Sequence, residues 1–345
     1  MKKLLYLCCH CVLEHDELRL LHELGYDVFT NDAYHRPKTP VVNRRPPLNI
    51  DDKPDYLQKF YDMCHVNSNN PDVKPEQHNN LLTDAMIDSF DTIMIMHLPR
   101  FIEQNWDRIK HKKVIWRTIG QSTADVEAKM QKYRAEGLKI VRYSPSEREL
   151  GNYCGEDAMI RFGKYSNDYL PYVGDQNYVM TFGQNVVGRG DHCRYDVIRH
   201  VAKDFNFKLF GPGNQAAPMN CGELDYKDQL VELSKNKVYL YSGTWPASYT
   251  LNFIEAWMSG IPVVALGDEL ASKVGKFPYE VSKLIKHGEN GFCCNNVAEI
   301  KEHVRAIMID TNLRKRISEN GRKAAIEHFD SESIKPLWKA FLDKL

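Results

Sequence analysis

The sequence predicts an α/β protein made of two parallel-sheeted domains in succession. Three observations carry this: a length of 345 residues, an alternation of short apolar runs with amphipathic segments, and a restart of that alternation near residue 175. A chain this long exceeds what one hydrophobic core ordinarily serves, and βα alternation covers both faces of a parallel sheet with helices.

KLLYLCC (3–9) is apolar without helical period, and ELRLLHEL (17–24) repeats leucine at helical spacing until Gly25 ends it. YDVFT resumes a strand. The rhythm then breaks from Tyr34 to about Asn80, a Pro-, Asn- and Asp-rich stretch opening with HRPKTPVVNRRPP, which reads as a long loop or insertion. Loops of this length are commonly functional, with a solvated excursion as the alternative. Strands return at TIMIMHL (92–98), KVIWRTIG (113–120) and KIVRYS (139–144), with helical segments around 81–89, 122–136 and 146–151.

YVMTFG (178–183) begins the second series. RYDVIRHVAKDF is a helix, FKLFG (207–211) a strand, YKDQLVELSKN a helix, KVYLYSG (237–243) a strand, and PVVAL (262–266) another. The border falls near PYVGDQN (171–177), which gives domains of 1–174 and 175–330. NVAEIKEHVRAIMID and TNLRKRISENGRKAAIEHF are amphipathic helices. The segment 331–345 carries Leu337, Trp338, Phe341 and Leu342 on a last helix, whose apolar face needs a surface and is expected on the N-terminal domain.

Composition narrows the function classes. Lys plus Arg equals Asp plus Glu at 46 each, so no whole-molecule field favours nucleic acid or an anionic membrane. Arg36, Lys38, Arg44 and Arg45 form the one basic stretch that could serve DNA. Nine scattered cysteines, an odd number, suit reduced thiols and a cytoplasmic location. MKKLLYLCCHCVL imitates a signal peptide, but His10 interrupts it and Glu14, His15, Asp16 and Glu17 follow without a cleavage site. No run approaches the roughly 20 apolar residues of a membrane span. Cys8 and Cys11 have a Cys-x-x-Cys interval, yet residues alternating along a strand cannot all converge on zinc, so no metal is expected.

The segment SYTLNFIEAWMSGIPVVA (248–265) carries the most chemistry. It places a helix start just after a strand, at the carboxyl edge of a parallel sheet, where ligands bind in such folds. The N–H groups of Ser248, Tyr249, Thr250 and Leu251 would face an anion such as a phosphate. Glu255 stands in that helix among Phe253, Ile254, Ala256, Trp257 and Met258. An exposed glutamate is one reading. A buried carboxylate needs partners, and two adjacent sugar hydroxyls would satisfy both oxygens.

These residues resemble the donor-site signature of GT-B glycosyltransferases, especially the retaining enzymes of family four. MTFGQNVVGRG (180–190), KLFGPGN (208–214) and HGENGFCC (287–294) follow in that family's order. The likeness covers about residues 178–330, and over the first domain it rests mostly on architecture. It implies two Rossmann-like domains facing a cleft, with transfer of a sugar from a nucleotide-diphosphate donor (UDP-, GDP- or ADP-sugar) to an acceptor hydroxyl. It implies retention by front-side attack, with the leaving phosphate taking the acceptor's proton, and neither metal nor cofactor. By the same likeness Glu255 holds the ribose, the amides near Tyr249 and Thr250 the diphosphate, and Arg189 the phosphate charge. Gly183 and Gln184 lie in the first turn, Gly211 and Gly213 let the backbone pass close to the nucleotide, and Gly222, Glu223 and Leu224 neighbour the base.

Two departures stand out. The family's first glutamate, which contacts the transferred sugar, falls on Ala247, and the arginine of the strand-end turn falls on Gln184. Arg189 and Arg194 are the candidate replacements, since arginine suits bidentate phosphate contact, with surface arginines as the plainer alternative. On the acceptor side stand His10, Thr118, Gly120 and Gln121 at strand ends. His97 could orient a hydroxyl or act as a base, against a purely structural role. The acceptor itself, whether glycan, lipid, protein or small molecule, stays open, as do peripheral membrane contact and oligomeric state. A non-catalytic relative that binds nucleotide or sugar is the competing class, and a DNA glycosyltransferase is less favoured.

Overall fold

The computed structural model describes residues 2–30, 33–35, 39–48 and 84–345. Most of the expected 34–80 insertion, with Arg36, Lys38 and Cys64, therefore lies outside the described residues.

The first half runs β1 (Lys2–Leu7), α1 (Cys11–Glu23), β2 (Tyr26–Phe29), α2 (Asp84–Asp88), β3 (Thr92–Met96), α3 (Pro99–Ile109), β4 (Lys113–Arg117), α4 (Ala124–Ala135), β5 (Lys139–Arg142) and β6 (Ala158–Met159). Its six strands pair in the order β2-β1-β3-β4-β5-β6, and every pairing is parallel. The segment expected as a helix at 146–151 is a 3-10 turn, Pro145–Glu149. β6 falls outside the sequence pattern, since two residues are too short to show a period.

The second half runs β7 (Gln176–Phe182), α5 (Val186–Arg189), α6 (Tyr195–Ala202), β8 (Phe207–Phe210), α7 (Tyr226–Lys235), β9 (Asn236–Tyr241), α8 (Leu251–Ser259), β10 (Val263–Leu266), α9 (Asp268–Ala271), α10 (Val281–Leu284), β11 (Phe292–Cys294), α11 (Val297–Ile309), α12 (Thr311–Phe329) and α13 (Ser331–Leu342). Five strands form a second parallel sheet in the order β11-β10-β9-β7-β8. Its central strands are buried on both faces, as continuous runs such as VYLY and VVAL require.

Helix α1 begins six residues earlier than leucine spacing predicts, because Glu14, His15, Asp16 and Glu17 lie inside it and are all buried. Each acid has found a partner that sequence spacing cannot display. Glu17 pairs with Arg117 at 2.8 Å, Asp16 with Lys164 at 2.7 Å, and Glu14 accepts the Tyr34 N–H at 3.2 Å. Arg117 is itself fully buried and donates to the Ile160 carbonyl at 2.6 Å, so paired charges thread the first core.

The last helix returns to the first half. Trp338 is fully buried beneath the Arg117 guanidinium at 5.3 Å, and Lys335 pairs with Glu23 of α1. Leu337, expected on that apolar face, is 46 % exposed. Among the described residues no helix is long and apolar enough to cross a membrane.

Candidate donor site between the two sheets

The carboxyl ends of β7, β8 and β9 open onto a cavity. Two glycine turns shape its floor. A β-carbon on Gly211 (φ +130°) would lie 3.0 Å from the Gly183 carbonyl carbon and closer still to its oxygen, so only glycine passes there. Asn214, fully buried, locks both turns: its Nδ2 donates to the Gly183 and Gly211 carbonyls at 2.6 and 2.9 Å, and its Oδ1 accepts the Val186 N–H at 2.9 Å.

Gly183, Gln184, Arg189, Gly211, Thr250, Leu251 and Glu255 all line this cavity, as does His10 from the opposite domain. The Arg189 side chain makes no hydrogen bond or ion pair among the described residues, which leaves a half-buried guanidinium facing open space. Helix α8 starts at Leu251 with Thr250 as its N-cap. The first N–H groups of a helix have no intrahelical carbonyl, so those of Leu251 and Asn252 bring a partial positive charge to the cavity wall.

Several expected site residues are not available. The Ser248 N–H donates to the Tyr143 hydroxyl at 2.8 Å and the Thr250 N–H to the Tyr241 hydroxyl at 3.1 Å, so neither amide is free for a phosphate. Tyr249 is buried, its hydroxyl donating to the Tyr143 carbonyl at 2.6 Å. Arg194 is buried away from the cavity, forked onto Asp196 at 3.0 and 2.9 Å and bonded to the Leu270 carbonyl. A β-carbon on Gly213 (φ +75°) would lie 3.0 Å from the Asn185 β-carbon, and the Gly222 carbonyl accepts the Gly211 N–H at 2.9 Å. Neither lines the cavity, and nor do Glu223 and Leu224; Pro212 and Gln229 stand there instead.

Of the two readings of Glu255 the structure has the buried one, and its partners are protein cations. Its Oε1 accepts from Lys164 Nζ at 2.8 Å and from Arg45 at 3.3 Å, and Lys164 also pairs with Asp16. Burial works against the Lys164 charge, but the Asp16 and Glu255 carboxylates outweigh it and hold the ammonium above its ordinary range. Burial likewise opposes the Asp16 charge, and Lys164 and His15 carry that carboxyl down to about 2. Burial, then the Lys164 charge, lowers the His10 imidazole to about 4, so it is neutral at physiological pH.

Arg45 arrives on the stretch expected as a loop. Residues 39–48 cross to the second domain, where the Val42 carbonyl accepts from Gln229 at 2.8 Å and the Arg45 guanidinium covers the Tyr226 ring at 4.4 Å. Val42, Asn43 and Arg45 thereby become walls of the cavity. Nothing in the sequence assigns Arg45, Lys164, Asp16, Asn214 or Gln229 to this cavity, because each acts through a partner 30 or more positions away or through backbone.

A second cavity lies at the ends of the first sheet, lined by Cys9, His97, Phe101, Gln121 and Lys129. His97 belongs here, not to the donor cavity; burial lowers its imidazole to about 4 and its Nδ1 finds no partner. Cys9 lines this cavity and His10 the other, so the end of β1 divides them. Thr118 is fully buried, its hydroxyl on Glu147 at 2.8 Å, and is closed to any acceptor. Gly120 is closed as well, against Ala247. Among the described residues no group of three or more His, Cys, Asp or Glu side chains is placed to hold a metal ion.

No family model matches the chain. A 170-residue stretch is 23% identical to an uncharacterized glycosyltransferase of Methanocaldococcus jannaschii, covering 48% of each chain, so the match spans about half the length of that relative. Among solved structures, sucrose-phosphate synthase from Thermosynechococcus elongatus superposes with a TM-score of 0.67 at 14% identity, over 100% of this chain and 99% of that one. The Anabaena protein HepE, in complex with UDP-glucose, superposes with a TM-score of 0.63 at 14% identity over the whole of both chains. A glycosyltransferase from Rickettsia africae gives 0.65 at 12% identity, covering 100% of this chain and 99% of the other. The chain thus has the GT-B fold of these structures: two parallel-sheeted α/β domains facing each other across a cleft.

Proposed function

We propose that the protein is a glycosyltransferase that moves a sugar from a nucleoside-diphosphate donor to an acceptor hydroxyl. One observation carries this reading: a single cavity gathers an unpartnered arginine, the start of α8 and a buried carboxylate, the three chemistries a nucleoside diphosphate needs. Arg189 and the Leu251 and Asn252 N–H groups meet the diphosphate, and Glu255 meets the ribose hydroxyls. The turns at Gly183 and Gly211, with Gln229, border the base. That HepE was solved with UDP-glucose places UDP-sugars first in the panel to be tried, before GDP- and ADP-sugars.

In the reaction the bond between the anomeric carbon and the diphosphate oxygen breaks, its electron pair leaving with the phosphate. Negative charge grows on that oxygen, where the guanidinium and helix amides are fixed to receive it. The acceptor oxygen bonds to the anomeric carbon, and its proton passes to the departing phosphate. The product keeps the donor's anomeric configuration, and the transferred group is a hexosyl or pentosyl unit. So written, the reaction draws on no resident cofactor. The acceptor enters from the first domain, where His97 and Gln121 line their own cavity.

Calorimetric titration with UDP-, GDP- and ADP-sugars tests the reading, followed by NMR of donor turnover to read the configuration. Micromolar binding of one nucleotide class with slow donor hydrolysis supports it. Absence of binding across the panel overturns it, and binding with no turnover towards water or any acceptor moves the protein to the non-catalytic class.

A further inference from the structure

We propose that Lys164 is a positioning residue for the nucleotide site: its ammonium, 2.8 Å from Glu255 Oε1 and 2.7 Å from Asp16 Oδ2, aims the Glu255 carboxylate at the ribose. This rests on the reading of the cavity as a nucleotide-sugar site. Lys164 is 3 % exposed and its backbone is held on both sides, since its N–H donates to the Phe329 carbonyl and its own carbonyl accepts from Ser331, each at 2.7 Å. The ammonium is thus delivered from a fixed point where the chain meets the junction of α12 and α13. Asp16, on α1, completes the mount. A carboxylate of the second domain is therefore oriented by a cation anchored on the first.

The geometry divides the two oxygens of Glu255. Lys164 and Arg45 both meet Oε1, and among the described residues no donor is placed on Oε2. That oxygen is the one left to accept from ligand hydroxyls. Besides these cations and Asp16, the titratable groups around Glu255 are His10, Tyr169, Tyr226 and Tyr239. Burial raises all three phenols and lowers the imidazole, so they are neutral near pH 7. Lys164 and Arg45 are then the charges that meet the carboxylate directly. An ion cluster in a core is seldom needed for stability, since apolar replacements of similar volume are often neutral or stabilising. Its place in a cavity wall points to orientation of a ligand group instead.

The test uses the full chain, with UDP, GDP and ADP as probes, and measures affinity together with the melting temperature. Lys164→Met should weaken the best probe by about 10- to 100-fold, because the Glu255 carboxylate then loses the donor that fixes its Oε1. Lys164→Arg should recover part of the loss. The double variant Lys164→Met/Asp16→Asn removes the buried charge that the single variant strands, so its melting temperature should rise above that of Lys164→Met. Its affinity should stay low. Wild-type affinity in the double variant means that Lys164 serves only Asp16, and overturns the proposal while leaving the nucleotide site standing. A wild-type chain that binds none of the three probes overturns the site and the proposal together.

Discussion

Gly120 of the first domain and Ala247 of the second face each other with no room between them: a β-carbon on Gly120 would stand 2.7 Å from the Ala247 Cα and closer still to its Cβ. Ala247 occupies the place where the GT-B resemblance implies a glutamate. That acid would have to enter a closed seam between the domains, where it would be buried. Ala247→Glu should destabilise the protein by more than Gly120→Ala, the latter costing about 1–3 kcal/mol by overpacking. Melting temperatures of the two variants measure this, and an Ala247→Glu chain as stable as wild type with higher turnover would show that the seam accepts a carboxylate.

Arg189 and Arg194 lie five positions apart and should separate cleanly in mutagenesis. Arg189 faces the cavity without a partner, whereas Arg194 is consumed by Asp196 and the Leu270 carbonyl. Arg189→Ala should weaken nucleoside-diphosphate binding by about 10- to 100-fold with little change in melting temperature. Arg194→Ala should do the reverse, lowering stability by about 1–3 kcal/mol because the Leu270 carbonyl loses its partner and the half-exposed Asp196 its ion pair. Calorimetric binding and unfolding on both variants give the four numbers needed.

The 39–48 segment should loosen when Arg45 is cut back. Its guanidinium touches Tyr226, Glu255 and the Val42 and Arg44 carbonyls, so Arg45→Ala removes the cross-domain hold and part of its own turn. Amide hydrogen exchange is expected to quicken across 39–48 and at the start of α7, with nucleotide affinity falling as the cavity loses a wall. Unchanged exchange there would mean that the Val42 contact to Gln229 suffices.

Glu147 predicts a pH dependence of stability. Burial lifts its carboxyl from an ordinary 4.5 to about 7, against the pull of Arg142 and of the Thr118 hydroxyl. A carboxyl whose folded value is raised binds its proton more tightly when folded. Its contribution is complete below about pH 4.5 and is lost as pH rises through about 7, a change of up to about 3 kcal/mol. His10 and His97, lowered to about 4 when folded, act in the opposite direction: their contribution is present above about 6.5 and lost as pH falls through about 4. The clean observable is the difference between Glu147→Gln and wild type, which should move in the variant's favour from pH 4.5 to 7. A constant difference would show that Glu147 is already ionised throughout.

Much of the fold was legible because strands and helices announce themselves locally. The runs at 92–96, 113–117, 236–241 and 263–266 are apolar without helical period, and Gly or Pro bounds them. The α8 start after β9 could be read too, and with it the neighbourhood of Leu251, Glu255, Gly183, Gly211 and Arg189. What misled was treating each polar residue by its own position. Ser248, Thr250 and Thr118 look exposed in a turn or at a strand end, yet their donors are taken by Tyr143, Tyr241 and Glu147 from distant segments.

The sequence by itself determined the two parallel sheets, their order along the chain and the helix that opens the donor cavity, since propensity, period and turn chemistry act over a few residues. Tertiary structure alone decided which charges meet. Asp16, Arg45, Lys164 and Glu255 come from four separate segments and form one cluster only when the domains close and α13 returns to the first sheet. A buried charge is tolerated or excluded by what stands within a few ångströms of it, and that distance has no counterpart in sequence separation.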